Sequence, residues 1–306
     1  MKQIDNAKLI TRLTPPAGTV DVVLDTDTYN EIDDQFAVAY LLKSQDKLRV
    51  KALYAAPFYN EKSSGPKDGM ERSYNELLKL LDAAGMTDFA PNVYRGSETY
   101  LPSETEPVPS DAAAHLAKLA MNYTPDAPLY VAAIGAITNV ASAILLNPAI
   151  VDRIVVVWLG GHSFEWPNTR EFNMFQDVAA ARVIFGCGAA VVQLPCMGVV
   201  SAFGISGVEM KHWLSGKNAL CDYLVDATLT EMGPDEASFC WTRVIWDVTA
   251  IAWLLNRDLV QDSLEHSPIP EYDHHYAFDR TRHLMRYVYH IDRDALFQDL
   301  VNTLTR

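Results

Sequence analysis

Five carboxylates stand within ten residues near the N-terminus, and their crowding points to cation chemistry. The segment VVLDTDTYNEIDDQFAVAYLL carries Asp25, Asp27, Glu31, Asp33 and Asp34. Carboxylates this close repel one another unless a cation neutralises them, and an all-oxygen ligand set suits a hard ion such as Ca²⁺ or Mg²⁺. Asp33 or Asp34 could instead cap the helix that follows and complement its dipole. Capping does not account for Asp25 and Asp27, so the segment predicts a divalent cation site.

The elements that must position this cluster alternate between strands and helices. Short apolar runs predict strands, and most of them precede a segment with helical spacing. The predicted pairs are Val20–Leu24 with Asp34–Leu42, Val50–Ala55 with Glu71–Ala84, Leu129–Ile134 with Asn139–Leu146, and Ile154–Leu159 with Val178–Phe185, and further strands are predicted at Ala189–Leu194 and Met285–His290. This alternation predicts an α/β fold, an open, mostly parallel, Rossmann-like sheet with helices on both faces.

A single domain is expected over residues 1–306, with a mainly helical C-terminal part from about residue 201. The chain shows no fixed-period repeat, and Pro102–Ser110 has the composition of an exposed connection. In open α/β sheets, ligands bind beyond the carboxyl ends of the strands. The residues directly after each apolar run are therefore the candidate functional residues.

Composition narrows the class of partner. The chain has 306 residues, 49% of them hydrophobic, and a formal net charge of -14. Such an acidic surface repels a phosphate backbone, so we expect no nucleic acid partner. The sequence has no apolar signal core and no uncharged run of membrane-spanning length, so we expect no membrane partner and a cytoplasmic location. The four cysteines lie far apart without a CxxC pair, and we interpret them as buried free thiols.

Five separated segments resemble one enzyme family. Asp-x-Asp, a short spacer and Asp-Asp after the first strand resemble the signature of the nucleoside hydrolases. GAITNVASAILLNP, WLGGHS, REFNMFQDVAAARVIF and VIWDVTAIAWLL resemble four further family segments in matching order. On these motifs the chain is identified as a divergent member of the inosine-uridine preferring nucleoside hydrolases. The resemblance implies calcium-dependent hydrolysis of the N-glycosidic bond of a ribonucleoside, giving free base and ribose.

The resemblance also assigns roles to residues by motif position. It implies that Ca²⁺ is held by Asp27, Asp34, the main-chain carbonyl of Thr138, and Asp247. It implies substrate contacts by Asp33, Asn60, Glu171 and Asn173. A bound calcium ion can hold the 2′- and 3′-hydroxyls together with one water, and a carboxylate in its shell can take the proton of that water. We assign this role of general base to Asp27.

Structural roles are the alternative for several of these positions. Asn173 could form a turn, Glu171 could be a surface charge, and Thr138 could be the N-cap of the next helix. Asn60 follows APFY in a predicted loop, where an asparagine needs no special reason.

The metal loop departs from the family pattern in length. The spacer TYNEI between Asp27 and Asp33 has five residues, where the family pattern has three. If the following helix keeps its place, the loop must bulge. We therefore expect Asn30 or Glu31 to add a contact to the ion or the sugar.

A second departure concerns the leaving group. Trp246 stands where many family members carry a histidine that protonates the departing base, and an indole is not a titrating acid. We assign His162, which follows two glycines at a strand end, as the substitute proton donor, and a hydrogen-bonded loop histidine is the alternative. Aromatic residues that could stack on a base are Phe58, Tyr59, Trp166, Trp241 and Trp246, although core packing is the alternative. His274 and His275 could belong to a lid or to an ordinary exposed loop.

Two other functions stay open at this level. VVLDTDT also resembles the nucleophile motif of haloacid-dehalogenase-type phosphatases, with Asp25 as nucleophile and Asp27 as acid or base. The acidic turn that this class carries late in the chain has no convincing match here. The other alternative is a nucleoside- or sugar-binding protein that keeps the calcium site without turnover. The family resemblance further implies a homo-oligomer, a dimer or a tetramer.

Overall fold

A sheet of eight strands forms the centre of the structure, a computed structural model that describes residues 6–233 and 240–306. The strands in the described part of the chain are β1 (Val20–Thr26), β2 (Leu48–Ala55), β3 (Val93–Arg95), β4 (Leu129–Ala133), β5 (Ile154–Leu159), β6 (Ala190–Leu194), β7 (Gly204–Ser206), β8 (Thr242–Val244), β9 (Val260–His266), β10 (Ile269–Pro270), β11 (Tyr276–Ala277) and β12 (Leu284–Ile291). The order in the central sheet is β3-β2-β1-β4-β5-β6-β12-β9. All neighbours are parallel except β12 and β9, which confirms the predicted mostly parallel α/β fold.

Helices connect most of these strands. They are α1 (Asn6–Arg12), α2 (Asp33–Lys43), α3 (Pro66–Ala83), α4 (Asp111–Leu119), α5 (Thr138–Leu146), α6 (Phe172–Gln176), α7 (Val178–Gly186), α8 (Gly207–Leu214), α9 (Ala219–Met232), α10 (Val248–Leu255) and α11 (Arg293–Leu304). Short 3₁₀ helices lie at Thr87–Asn92, Ala120–Asn122, Pro148–Ile150 and Val200–Ala202. Within the described ranges, no helix combines the length and the apolar character needed to span a bilayer.

Helices cover both faces of the sheet because both faces of its central strands are apolar. Every residue of β4 and β5 is buried. Along β1 the side chains alternate between two hydrophobic clusters, with Val22 and Leu24 in one and Val23 in the other. The first cluster includes side chains of α2, α10 and α11, and the second includes side chains of α4, α5 and α7. Burial of these side chains on both faces therefore fixes the layered arrangement.

The order of the strands reverses between β1 and β4. From β1 the chain passes through α2 to β2 on one side, and from β4 it passes through α5 to β5 on the other side. Because α2 and α5 lie on opposite faces, the carboxyl ends of β1 and β4 flank a crevice, the usual ligand position in open α/β sheets. Asp27 follows β1 directly, and the GAITN segment follows β4.

The antiparallel edge strand β9 is the main element that the sequence patterns do not predict. Its residues VQDSLEH are exposed or half-buried, because β12 is its only strand neighbour in the described sheet. A polar edge strand lacks the apolar run that marks the central strands. A mainly helical part is expected from about residue 201. The described chain after Ser201 has four helices and also strands that belong to three different sheets.

Candidate active site

A cavity of about 200 Å³ lies at the carboxyl ends of β1, β4, β5 and β6. Six acidic residues line it, namely Asp27, Glu31, Asp33, Asp34, Glu171 and Asp247. The other lining residues are Asn30, Ile134, Leu159, His162, Arg170, Phe172, Asn173, Cys196, Met197 and Trp246. Because pockets for drug-sized ligands measure roughly 300–1,000 Å³, this cavity suits a small ligand. Most of the predicted site residues therefore meet at the crevice that the topology creates.

Three aspartates from two elements converge in this cavity. Asp33 and Asp34 belong to the first turn of α2, and Asp247 directly precedes α10. One carboxylate oxygen of each lies within 4.8 Å of the others, and all three residues are buried. Ile32 occupies the N-cap position of α2, and no described side chain caps it. Asp33 and Asp34 therefore do not cap α2. Asp34 Oδ1 accepts a hydrogen bond from Thr26 Oγ1 instead.

Asp27 contributes a fourth carboxylate, which lacks a hydrogen-bond donor. The residue is 1% exposed. Neither of its oxygens has a partner in the described part of the chain, and Asp33 Oδ1 is likewise unpartnered. Burying an unpaired carboxylate is costly, so oxygens in this situation call for a counter-charge. The donor set, made of carboxylate oxygens, fits a hard divalent cation.

Burial and mutual repulsion shift the acidity of the whole cluster. Burial raises the pKa of Asp27 well above its ordinary range, and the charge of Asp33 raises it further. The pKa of Asp34 and that of Asp247 also rise, first through burial and then through neighbouring aspartates. For Asp33, burial and Glu31 raise the pKa to about 7 even though the Arg243 guanidinium opposes the shift. Protons or a cation must therefore neutralise these groups near neutral pH.

The long spacer after Asp27 brings two residues to the cavity, and their contact with an ion or a sugar stays a prediction. Both Asn30 and Glu31 line the cavity. The Asn30 N–H donates to the Asp27 carbonyl at 2.7 Å, and Lys62 Nζ donates to the Asn30 carbonyl at 2.7 Å. Glu31 Oε2 forms an ion pair with Arg243 at 3.0 Å. The bulge is thus tied to the rest of the chain on both sides.

Glu171 and Asn173 tie the end of β5 to α6 at the cavity wall. Glu171 is the N-cap of α6, and its carboxylate accepts the backbone N–H groups of Asn173, Met174 and Gly161 at 2.8–2.9 Å. Burial raises its pKa, and these hydrogen bonds limit the rise. Asn173 Nδ2 donates to two carbonyls at the ends of β4 and β5, at 3.2 and 3.1 Å. Glu171 is therefore not a surface charge, and both side chains face the cavity from fixed positions.

His162 lines the cavity as a neutral ring. Its Nδ1 accepts the Met197 N–H at 3.3 Å, so Nε2 carries the proton. Burial lowers the pKa of His162 to about 4. At neutral pH the ring can donate a hydrogen bond from Nε2, but it is not an imidazolium acid.

Two predicted residues are absent from the described cavity lining. Asn60 Nδ2 donates to Asn30 Oδ1 at 2.7 Å. Asn60 therefore contacts a residue that lines the cavity. Thr138 begins α5, and its hydroxyl donates to Asp177 at 2.6 Å. The lining residue that follows β4 is Ile134, whose carbonyl accepts from Asn173. After β4, the described lining thus includes Ile134 and does not include Thr138.

Of the aromatic candidates for stacking, Trp246 is the one found among the described lining residues, where it is half-buried. Phe58 is fully buried in the interior, and Tyr59 is 58% exposed. Trp166 contacts the His162 ring edge-on, with 5.7 Å between centroids. Trp241 packs against a hydrophobic cluster and is not among the described lining residues. Core packing or exposure therefore accounts for most of the set.

Sequence reasoning missed Cys196 and Arg170 as lining residues. Cys196 is a free, buried thiol as predicted, but it faces the cavity, and burial together with the Glu171 charge raises its pKa. Its position two residues after β6 was the available signal, by the same rule that singled out Asp27. Cys240, in contrast to the prediction of buried thiols, is exposed. Arg170 carried no sequence signal beyond its place beside Glu171.

Two similarities in sequence, to a family model and to one related protein, bear on the identity of the chain. A family model described as inosine-uridine preferring nucleoside hydrolase matches residues 22–298. An inosine-uridine preferring nucleoside hydrolase of Leishmania major is 33% identical over 108 residues, which are 34% of this chain and 29% of that protein. The matched stretch therefore spans less than a third of this relative, whereas the family model spans most of the chain.

Solved structures extend the similarity to the whole fold. A plant nucleoside hydrolase superposes with a TM-score of 0.76 at 19% identity, covering 94% of this chain and 99% of that one. A purine-preferring ribonucleoside hydrolase from Gardnerella vaginalis gives a TM-score of 0.72 at 19% identity, with 93% and 98% covered. At these identities the structures show the fold alone. Together with the family match over residues 22–298, they establish that the chain belongs to the inosine-uridine preferring nucleoside hydrolase family.

Proposed function

We propose that this protein is a calcium-dependent hydrolase that cleaves the N-glycosidic bond of a ribonucleoside and releases free base and ribose. The observation that carries the proposal is the buried Asp27 carboxylate, which has no hydrogen-bond partner among the described residues and lines the same cavity as Asp33, Asp34 and Asp247. Such a set has no structural reason without a cation. Membership of a nucleoside hydrolase family supports the reaction class.

In the proposed ligand set, Asp27, Asp34 and Asp247 hold the ion, and the carbonyl of Ile134 takes the place first given to Thr138. Ca²⁺ accepts six to eight oxygen ligands, so this set leaves room for a diol and a water. When bound, the ion supplies a fixed diol and a water of lowered pKa. Asp27 has both oxygens free of other donors, which suits it to accept the proton of that water.

The sugar contacts come from residues around the ion. Asp33 Oδ1 has no partner in the described chain and is available to a hydroxyl. Asn173 and Glu171 present polar atoms that backbone hydrogen bonds already hold in place, which limits the entropy lost on binding. Asn60 acts as a positioning residue through Asn30. Contacts of this kind favour an oxocarbenium-like transition state because they strengthen as positive charge develops on the ring.

The leaving base receives less acid assistance than an imidazolium would give. Trp246 cannot titrate, and we propose that it stacks on the base. His162 is neutral near pH 7, and we propose that it donates a hydrogen bond from Nε2 to the departing base. Bases that leave without full protonation should therefore be the better substrates.

The phosphatase alternative needs Asp25 as an exposed nucleophile. Asp25 is 0% exposed, and its Oδ1 accepts a hydrogen bond from Asn139 Nδ2 at 2.7 Å. Its partner Asn139 belongs to α5, and Asp25 is absent from the described cavity lining. We therefore favour the hydrolysis of a glycosidic bond over that of a phosphate ester.

A substrate panel tests the proposed function. The protein is incubated with Ca²⁺ and each of several ribonucleosides, and reducing sugar and free base are measured. We expect release of ribose and base in equal amounts from at least one of them. Binding of nucleosides without any sugar released would instead support the binding-protein alternative, and phosphate release from a generic phosphomonoester would support the phosphatase.

Gly135 provides a test of the position of Asp27 that does not change its charge. A Cβ added at Gly135 would lie 2.8 Å from Asp27 Oδ1 and 3.1 Å from the Ala56 Cβ. We expect Gly135→Ala to lower kcat/KM by roughly tenfold to a hundredfold, because displacements of about 1 Å in a catalytic group cost this much. Gly85→Ala is not a suitable control, because Gly85 has a φ of +68°. Gly18→Ala is the matched control, since nothing lies within 4 Å of its added Cβ.

Three properties of the whole protein stay predictions. We propose one domain over residues 1–306, a homo-oligomer and a cytoplasmic location. The family resemblance supports the oligomer, and sedimentation velocity measures it directly. A monomer at all accessible concentrations would contradict it.

A further inference from the structure

We propose that Arg170 recognises an anionic group on the substrate, so that the preferred substrates are ribonucleosides that carry a negative charge. This inference rests on the proposed function and deepens it. The charge can come from two sources in a ribonucleoside, a phosphate on the 5′ oxygen or a carboxylate on the base. Both offer the same chemistry, a pair of oxygens on one anionic group that a guanidinium can bind with two hydrogen bonds.

The first observation is that Arg170 lines the cavity without a carboxylate partner. It is the one lysine or arginine among the described lining residues, which include six acids. Nevertheless, no carboxylate in residues 6–233 and 240–306 forms an ion pair with it. Its neighbour Glu171 is buried and already accepts three backbone N–H groups. The Arg170 charge is therefore available at the cavity.

The second observation is the contact that holds the guanidinium. Its carbon lies 4.9 Å from the centroid of the Phe175 ring, and Phe175 is 43% exposed. Stacking on an aromatic face orients a guanidinium while its N–H groups remain free at the edge. Those N–H groups form the planar fork that binds phosphate or carboxylate with two parallel hydrogen bonds. The contact with Phe175 thus orients the Arg170 guanidinium to bind an anion.

The third observation comes from His274, a residue that the proposed hydrolysis does not use. His274 has a φ of +65°, and its carbonyl accepts the Thr169 N–H at 2.8 Å, directly beside Arg170. Its ring lies 5.1 Å from that of Phe175. Its Nδ1 is buried and has no partner in the described chain. The loop that carries His274 is therefore hydrogen-bonded to the chain segment of Arg170. It also places the His274 Nδ1, which has no partner in the described chain, beside the Phe175 ring.

A neutral nucleoside would not use this arrangement. A ligand that covers Arg170 removes water from its guanidinium, and this desolvation has no compensation unless the ligand supplies an anion. A divalent cation bound by the acidic cluster reduces the repulsion between the cluster and such an anion. A charged substrate therefore satisfies both parts of the cavity.

Kinetic comparison of matched substrates tests the inference. Uridine, uridine 5′-monophosphate and orotidine share one pyrimidine ring and differ in the phosphate or the carboxylate, and inosine with its 5′-monophosphate forms a purine pair. We expect kcat/KM to favour one class of charged substrate over its neutral partner. In Arg170→Gln that ratio should fall by at least about tenfold, because hydrogen bonds to charged groups contribute this much or more. Arg170→Lys, which keeps the charge without the fork, should retain part of the preference.

The pattern across substrates identifies the source of the charge. Loss of a preference for the monophosphates assigns Arg170 to a 5′-phosphate, and loss of a preference for orotidine assigns it to a carboxylate on the base. Arg280→Gln is the matched control, because Arg280 is exposed in the turn before β12 and should leave the ratios unchanged. Equal kcat/KM for charged and neutral substrates, or an equal loss for both in Arg170→Gln, overturns the inference while the proposed function stands.

Calorimetry separates this inference from the proposed function. Ribose 5-phosphate and ribose are titrated into the calcium-loaded protein, as are orotidine and uridine if no substrate is cleaved. Tighter binding of one charged member that depends on Arg170 supports the inference even in a protein without turnover. Equal affinities within both pairs refute it, whatever the outcome of the hydrolysis assay.

Discussion

Replacement of Asp27 by asparagine should lower kcat/KM by at least about a thousandfold, because general base catalysis alone contributes roughly 10²–10⁴ and the variant also loses a metal ligand. The amide has the shape of the carboxylate, so the loss reports charge and basicity rather than a cavity. Steady-state hydrolysis of the best ribonucleoside from the panel, measured with saturating Ca²⁺, gives the effect. A variant within tenfold of wild type would remove Asp27 from the mechanism.

The stability of the same variant should move in the opposite direction. In the metal-free protein the Asp27 carboxylate is buried, receives no hydrogen bond from the described residues and is repelled by Asp33. Asp27→Asn removes this charge, so the metal-free variant should have a higher Tm than metal-free wild type. A variant that simply misfolds would lose both activity and Tm. Asp126→Asn is the control, since Asp126 is exposed and should change neither quantity.

The central strands could be predicted because burial on two faces leaves a strong pattern. Ile154–Leu159 has the predicted bounds, and β1 extends only two residues beyond the predicted Leu24. The edge strand β9 could not, since its polar residues carry neither an apolar run nor clean alternation. The pattern of apolar and polar residues thus predicts a strand that is buried in the sheet. It does not predict an edge strand that pairs with a single neighbouring strand.

The acidic residues of the site could be predicted for a similar reason. Asp27, Asp33 and Asp34 lie within one loop and one helical turn, so their proximity follows from the sequence. The proposed contribution of Ile134 could not be predicted, because every residue type offers a main-chain carbonyl and the sequence pattern does not show which residue lines the cavity. The significance of Arg170 is also three-dimensional, because it depends on the place of Arg170 in the cavity lining and on the absence of a carboxylate partner among the described residues.

Removal of the metal should abolish hydrolysis and make stability depend on pH in an unusual direction. Chelation by EDTA removes the ion that fixes the diol and the water, and added Ca²⁺ should restore full activity. In the stripped protein, burial holds the pKa of Asp33 at about 7 and raises the pKa of Asp27, Asp34 and Asp247 as well. The folded state then binds protons more tightly than the unfolded chain does.

The sign of the pH effect follows from that difference. A carboxyl group with a raised pKa in the folded state contributes its full stability below its ordinary pKa of about 4 and loses it as the pH rises through the folded value. The Tm of the EDTA-treated protein should therefore fall between pH 5 and pH 8. With Ca²⁺ the ion replaces the protons, and binding to the folded state adds stability that grows with the ratio of free ion to Kd.

The decisive quantity is the difference in Tm between calcium-loaded and stripped samples, measured in steps from pH 5 to pH 8. It should widen as the pH rises, because protons neutralise the cluster at pH 5 and only the ion does so at pH 8. Mg²⁺ at the same concentration tests the choice of ion, since it requires near-octahedral geometry and retains its waters more strongly. A stripped sample with full activity, or a Tm difference that stays constant with pH, would mean that these aspartates do not share a cation.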